Sequence, residues 1–264
     1  MVEENDMNHV DNWKRSLVLA MFAIAAATSA HPAEPGGLMN TEASTAPVLV
    51  ELFTSESCSS CPPADRLLAQ LERSDPSVIV LSEHVTYWNE TGWNDPYSSR
   101  ESTDRQNAYV NKMGLSSSYT PQMVVEGRYE FVGSNAAAAN RAIEKARALT
   151  PVAVTFSNLN SAAGHVNVSV STGKLAQDAE LFVVVTQDEG LEHVARGENG
   201  GHILRHVQIA RIIRHVASIQ RDEAYQGSLS IDLPQPIAGS GRHLVAFLQQ
   251  GNGGPILGVT AHGL

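Results

Sequence analysis

The chain has 264 residues, 42% of them apolar, with 18 Lys and Arg against 28 Asp and Glu for a formal charge of -10 at pH 7. That length suits one large or two ordinary globular domains. So acidic a balance argues against nucleic acid or anionic membrane as a partner, because both are bound through a basic face.

Residues 14 to 30 have the pattern of an export signal: Lys14 and Arg15, then the apolar stretch Leu17 to Ala27, then small residues at Thr28-Ser29-Ala30. The stretch is too short to cross a bilayer as a helix, and no cysteine follows it to carry a lipid. Residues 1 to 30 therefore read as a signal peptide, with Met7 as an alternative start and an uncleaved anchor or buried helix as the alternative reading. Residues 31 to 46, rich in Pro, Gly, Ser, Thr and Ala, read as a flexible lead-in. The expected location is periplasmic or secreted, where a pair of thiols rests as a disulfide.

Val48 to Phe53 predicts a buried strand, interrupted by Glu51. The two cysteines of the chain follow in Cys58-Ser59-Ser60-Cys61, and Ala64, Leu67, Leu68 and Leu71 then recur at helical spacing. A two-residue gap between thiols, with a strand before and a helix after, is the arrangement of a redox pair. Unpaired amides at the helix start stabilise a thiolate, so Cys58 is expected to attack and the less exposed Cys61 to resolve the mixed disulfide. A structural clip is the competing reading, although a ring this small gains little from cross-linking. Glu51 is the candidate proton acceptor for Cys61, or else a sheet-edge carboxylate facing water.

Val78 to Leu81 opens a second strand that runs towards His84, a candidate for proton transfer. Trp88 and Trp93 in the following loop are candidate walls of a substrate cleft, because loops after parallel strands collect at the active edge of open sheets. A helix is expected over Ser102 to Met113, capped by Ser102 or Thr103 and stopped by Gly114. Tyr119-Thr120-Pro121 leads into a strand to Val125, the turn Glu126-Gly127, a strand over Arg128 to Val132 and a final helix over Asn135 to Leu149.

That order, with the segments Glu51 to Asp65, His84 to Pro96, Tyr119 to Gly133 and Gly197-Glu198-Asn199-Gly200-Gly201, resembles the secreted thioredoxin-like family catalogued as domain of unknown function 1223. The resemblance implies a thioredoxin-like fold over residues 47 to 149. It also implies a cis bond at Thr120-Pro121 facing the cysteines, with Tyr119 and Thr120 at the substrate. Ser59-Ser60 stands where thioredoxins usually have Gly-Pro, and Pro62-Pro63 follows the pair.

From Pro151 the pattern becomes alternating: 152–156, 165–170, 180–187, 228–233, 243–249 and 255–261 read as short strands of an antiparallel sandwich. The predicted fold class is thus an α/β thioredoxin-like domain, 47 to 149, followed by a mostly-β, sandwich-like domain, 150 to 264. His202 and His206 have a metal-ligand spacing if their segment is helical, but Ile203 to Val216 has mixed periodicity and is left unassigned.

The function expected is thiol-disulfide exchange through Cys58 and Cys61, on a protein or small-thiol disulfide with a separate redox partner and no cofactor beyond the disulfide. Soft-metal handling, with Cys58, Cys61 and His84 holding copper, is the alternative. A non-catalytic envelope binding module is the third.

Overall fold

The first half of the chain builds β1 (Val48–Thr54), α1 (Pro62–Ser74), β2 (Val78–His84), a short 3-10 helix (Thr86–Thr91), α2 (Arg100–Met113), β3 (Gln122–Val125), β4 (Tyr129–Val132) and α3 (Ala136–Arg147). The second half is all strand: β5 (Val154–Ala162), β6 (His165–Thr172), β7 (Ala179–His193), β8 (Ile203–Ile219), β9 (Gln226–Asp232), β10 (Arg242–Gln249) and β11 (Ile256–Gly263). This computed structural model describes residues 46–162, 164–233 and 241–264. The export-like segment and nearly all of the lead-in lie outside the described residues.

Local chemistry accounts for the helix ends. Pro62 and Pro63 occupy the first turn of α1, where a missing N–H costs nothing, and Cys61 is its N-cap. Ser99, rather than Ser102 or Thr103, caps α2 by accepting from the Ser102 N–H, and Gly114 closes it at φ 68°. Asn135 does the same for α3 through the Ala138 N–H.

The expected fold class is corrected. Strand makes up 45% of the described residues and helix 21%. Strands of both halves join one mixed eight-stranded sheet, ordered β11-β10-β7-β8-β2-β1-β3-β4, beside a three-stranded sheet β5-β6-β9. An α/β thioredoxin-like domain followed by a separate sandwich is therefore not what forms. The cause lies in β7 and β8, a hairpin of 15 and 17 residues where a short strand over 180–187 was expected and the segment from Ile203 had no assignment. Its length lets β8 reach β2, which it meets in parallel at Ser82 and Ile209.

One residue earlier, Gln208 takes a left-handed backbone at φ 45°, and the β7–β8 register shifts at Val185 and Thr186. Beyond that bulge the hairpin becomes an arm lying along α1. Gln208 donates to Glu72 at 2.8 Å, Val207 joins the apolar cluster under α1 and α3, and His206 reaches Asp65. The junction of the halves is apolar as well: Leu49 and Leu81 pack with Val184, Ala210, Val245 and Phe247. A third cluster fills the space between the three-stranded sheet and β7, β8 and β10.

Candidate functional site

Cys58 and Cys61 are joined as a disulfide with their Cα atoms 5.4 Å apart, at the start of α1. The Cys61 carbonyl accepts from the Ala64 and Asp65 amides, and Ser60 Oγ lies 3.4 Å from Cys58 Sγ. Ser59 and Ser60 face solvent, yet both cysteines are 0% exposed. The expectation that Cys58 is the more exposed is thus not met. The arm explains the seal. Asn199 donates from Nδ2 to the carbonyls of Glu56, at 2.8 Å, and Cys58, at 3.0 Å, while Glu198 Oε2 accepts from the Ser59 amide at 3.0 Å.

Ionisable side chains flank the ring in the interior. Glu56, two residues before Cys58, accepts from Trp93 Nε1 at 2.7 Å, and its Oε1 lies 3.4 Å from His206 Nε2. Asp65, one turn into α1, accepts from Thr54 Oγ1 at 3.0 Å and lies 3.8 Å from His206 Nδ1. Burial opposes charge on the His206 ring, but the facing Asp65 and Glu56 outweigh it and hold its pKa up at about 10. His206 is therefore an imidazolium between two carboxylates.

The His84 ring stands edge-on to it, centroids 4.5 Å apart. Burial raises the Asp95 carboxyl, but the charge and hydrogen bond of His84, with the amides of Glu56 and Tyr97, bring it below its ordinary value. The ionised Asp95 accepts from His84 Nδ1 at 2.7 Å, which leaves His84 Nε2 buried without a partner. Glu56 Oε1 and both His206 nitrogens also lack hydrogen-bond partners, so the cluster is held by charge more than by good hydrogen bonds.

The other predicted residues divide between two faces of β1. Glu51 points to the side away from α1, where it accepts from Arg105 Nε and, at 2.5 Å, from the Tyr109 hydroxyl. Arg105 also donates to Gln249 of β10 at 2.8 Å and lies 3.6 Å from Glu83. Burial first, then the charge of Glu51, hold the Glu83 carboxyl well above its ordinary value, so this pair of acids shares one cation and keeps a proton. Trp88 donates to Thr120 Oγ1 at 2.7 Å and packs near Phe53 on that same side, whereas Trp93 lies against Glu56 and Ser57 beside the ring.

The Thr120–Pro121 bond is cis. A side chain on Gly133 would fall 3.0 Å from Pro121 and 3.1 Å from Ala64, which puts Pro121 beside the first turn of α1. Tyr119 donates its hydroxyl to Glu130. His202 is exposed ahead of β8 and His206 is buried within it, so the two do not share a helical face. Among the described residues no three His, Cys, Asp or Glu side chains are grouped to hold a metal ion. No described helix is long and apolar enough to cross a membrane.

The family model described as a protein of unknown function, DUF1223, matches residues 49–249. The chain belongs to the DUF1223 family. Among solved structures it is similar to protein AGR_C_4864 from Agrobacterium tumefaciens, 26% identical, over 82% of this chain and 94% of that one, with a TM-score of 0.62. Two slighter likenesses are the sporulation control protein Spo0M from Bacillus subtilis and the curli protein CsgC from E. coli. Spo0M is 20% identical over 43% of this chain and 47% of its own, at a TM-score of 0.29. CsgC is 13% identical over 42% and 96%, at 0.21. No curated protein matches the sequence.

In this DUF1223 chain, sequence reasoning found the two cysteines but not Glu56, Asp65, Asp95, Glu198, Asn199 or the buried role of His206. A signal existed for two of them. Glu56 and Asp65 are the two acidic residues bracketing the pair in the segment Thr54 to Asp65. Glu198, Asn199 and His206 are brought in by tertiary contacts of more than a hundred residues' separation, and Asp95 by the loop after β2.

Proposed function

We propose that this DUF1223 chain exchanges disulfides through Cys58 and Cys61, with a protein or small-thiol disulfide as substrate and a separate redox partner, in an exported setting that keeps the pair oxidised at rest. The observation that carries this reading is the placement of the ring: a four-residue loop at a helix start, bracketed by buried Glu56, His206 and Asp65. A ring of this size is a weak staple, and burying three charged groups around it costs free energy that a clip does not require. Clusters of this kind gather where protonation matters.

In the exchange, a thiolate of the substrate forms a bond to Cys58 Sγ as the S–S bond breaks and Cys61 leaves as a thiolate. The Ser60 hydroxyl, 3.4 Å from Cys58 Sγ, and the positive end of the α1 dipole favour negative charge here, although Pro62 and Pro63 carry no N–H and the Ala64 and Asp65 amides are taken by the Cys61 carbonyl. Because both sulfurs are covered, the turn carrying Glu198 and Asn199 moves before the attack.

Incubating the native Cys61→Ser variant with glutathione disulfide tests the reading. The expected product is one glutathione on Cys58, read as a single mass increment and reversed by dithiothreitol. No adduct under conditions where the chain stays folded contradicts it.

A further inference from the structure

His206 comes from β8, far along the chain from the cysteines, and stands between the carboxyl groups of Glu56 and Asp65, which flank the ring in sequence. We infer that His206 is a positioning residue for the disulfide: as the cation between Glu56 and Asp65, it offsets their charge so that a thiolate forms at the mouth of α1. This deepens the exchange reading and rests on it.

The geometry is that of a clamp on both ends of the ring. Glu56 precedes Cys58 by two residues and Asp65 follows Cys61 by four; one nitrogen of His206 faces each carboxylate, at 3.4 and 3.8 Å. All three side chains are nearly or fully buried. The remaining charged and titratable neighbours are accounted for. His84 of β2 meets the imidazole edge-on and is held by Asp95, Tyr97 also meets it edge-on at 5.8 Å, and the Arg211 guanidinium of β8 lies over the Tyr97 ring at 5.4 Å. None of these places a second cation between Glu56 and Asp65. Thr54 offers Asp65 a hydroxyl, and Trp93 offers Glu56 an indole N–H, neither of them charged.

The chemistry shows why that cation matters. Reduction by a dithiol proceeds in two exchanges. A partner thiolate bonds to Cys58 Sγ and expels Cys61 Sγ as a thiolate; the partner's second thiolate then bonds to its own first sulfur and expels Cys58 Sγ. The partner leaves as a disulfide, two electrons have passed to the cysteines, and the protons released by the partner thiols balance those taken up here. At both steps negative charge appears on a cysteine close in sequence to a buried acid, Glu56 two residues before Cys58 and Asp65 four after Cys61. An opposite charge at this distance favours the ionised form, and removing it leaves like charges facing one another.

The test reads the pH dependence of alkylation of Cys58 by iodoacetamide in the reduced full chain. In His206→Gln the midpoint is expected to rise by about one pH unit or more, roughly a tenfold loss of thiolate at neutral pH. In Glu56→Gln, with one anion removed, the midpoint falls. In the double variant it returns towards the native value. A purely structural His206 moves stability without this opposite-signed pattern, and unchanged midpoints in Glu56→Gln overturn the inference even if His206→Gln does not fold. Failure of the exchange reading looks different: the native oxidised chain then forms no mixed disulfide at all, whatever stands at position 206.

Discussion

At the scale of single residues, the interior of this chain is unusual for the number of ionisable groups it carries, and each is explained by what faces it. Glu126 is the clearest case outside the disulfide site. It sits at the β3–β4 turn with φ 53°, accepts from the Leu49 amide at 2.6 Å, and burial above all raises its carboxyl to about 7 from 4.5. A folded-state pKa above the unfolded value means that the folded chain keeps a proton the unfolded chain has already lost. Stability therefore falls as pH rises from 4.5 towards 7 and levels off above it. Glu126→Gln keeps an acceptor for the Leu49 amide and cannot ionise, so urea midpoints measured across that range should show a flatter pH dependence than the native chain. An unchanged slope would assign it to other groups.

At the scale of elements, the β7–β8 arm completes what α1 begins. Gln208, His206, Asn199 and Glu198 meet Glu72, Asp65, the Glu56 and Cys58 carbonyls and the Ser59 amide in turn, so the arm follows α1 to its first turn and the ring beyond it. Asn199 supplies two of the hydrogen bonds that hold the covering turn. Each contributes about 1 kcal/mol net, so Asn199→Ala is expected to speed reduction of the native disulfide by dithiothreitol about thirtyfold. Its urea midpoint should fall only modestly, while the reduction rate shows the larger change. A slower or unchanged rate would mean that something other than this turn limits access.

The arm also marks where the sequence stopped being readable. The strand before Cys58 and the helix after it were legible because continuous burial and a 3.6-residue period leave distinct patterns at Val48 to Phe53 and Ala64 to Leu71. Residues 203 to 216 left no single period, because β8 alternates between exposed and buried from Ile203 to His206, is buried without a break from His206 to Ala210, and is partly or fully exposed from Arg211 to Val216. Neither a helix nor a strand template fits a segment whose environment changes midway. His206 was visible as a histidine and invisible as part of the site.

At the scale of the whole molecule, the two halves share one sheet, joined in register at Ser82 and Ile209, with apolar packing around Phe247 and a polar cross-link through Arg105. Arg105 of α2 ties Glu51 of β1 and Tyr109 to Gln249 of β10, which is why Glu51, expected near Cys61, is engaged on the opposite side of β1. The number of strands in the second half was nearly legible from alternation and turns, but their lengths and their pairing with the first half were not. Alternation gives a strand two faces without naming the edge it will meet.

This architecture makes the disulfide a buried feature at a seam between two halves of one fold, and the account stands on its being reached without dismantling that fold. The most direct test is the rate at which dithiothreitol reduces Cys58–Cys61 as urea is raised through concentrations well below the unfolding midpoint. Local opening of the covering turn exposes little surface, so the account predicts a rate that is nearly independent of urea in this range. A rate that climbs with the full urea dependence of global unfolding would contradict it, and would make the disulfide a clip reached only when the chain comes apart.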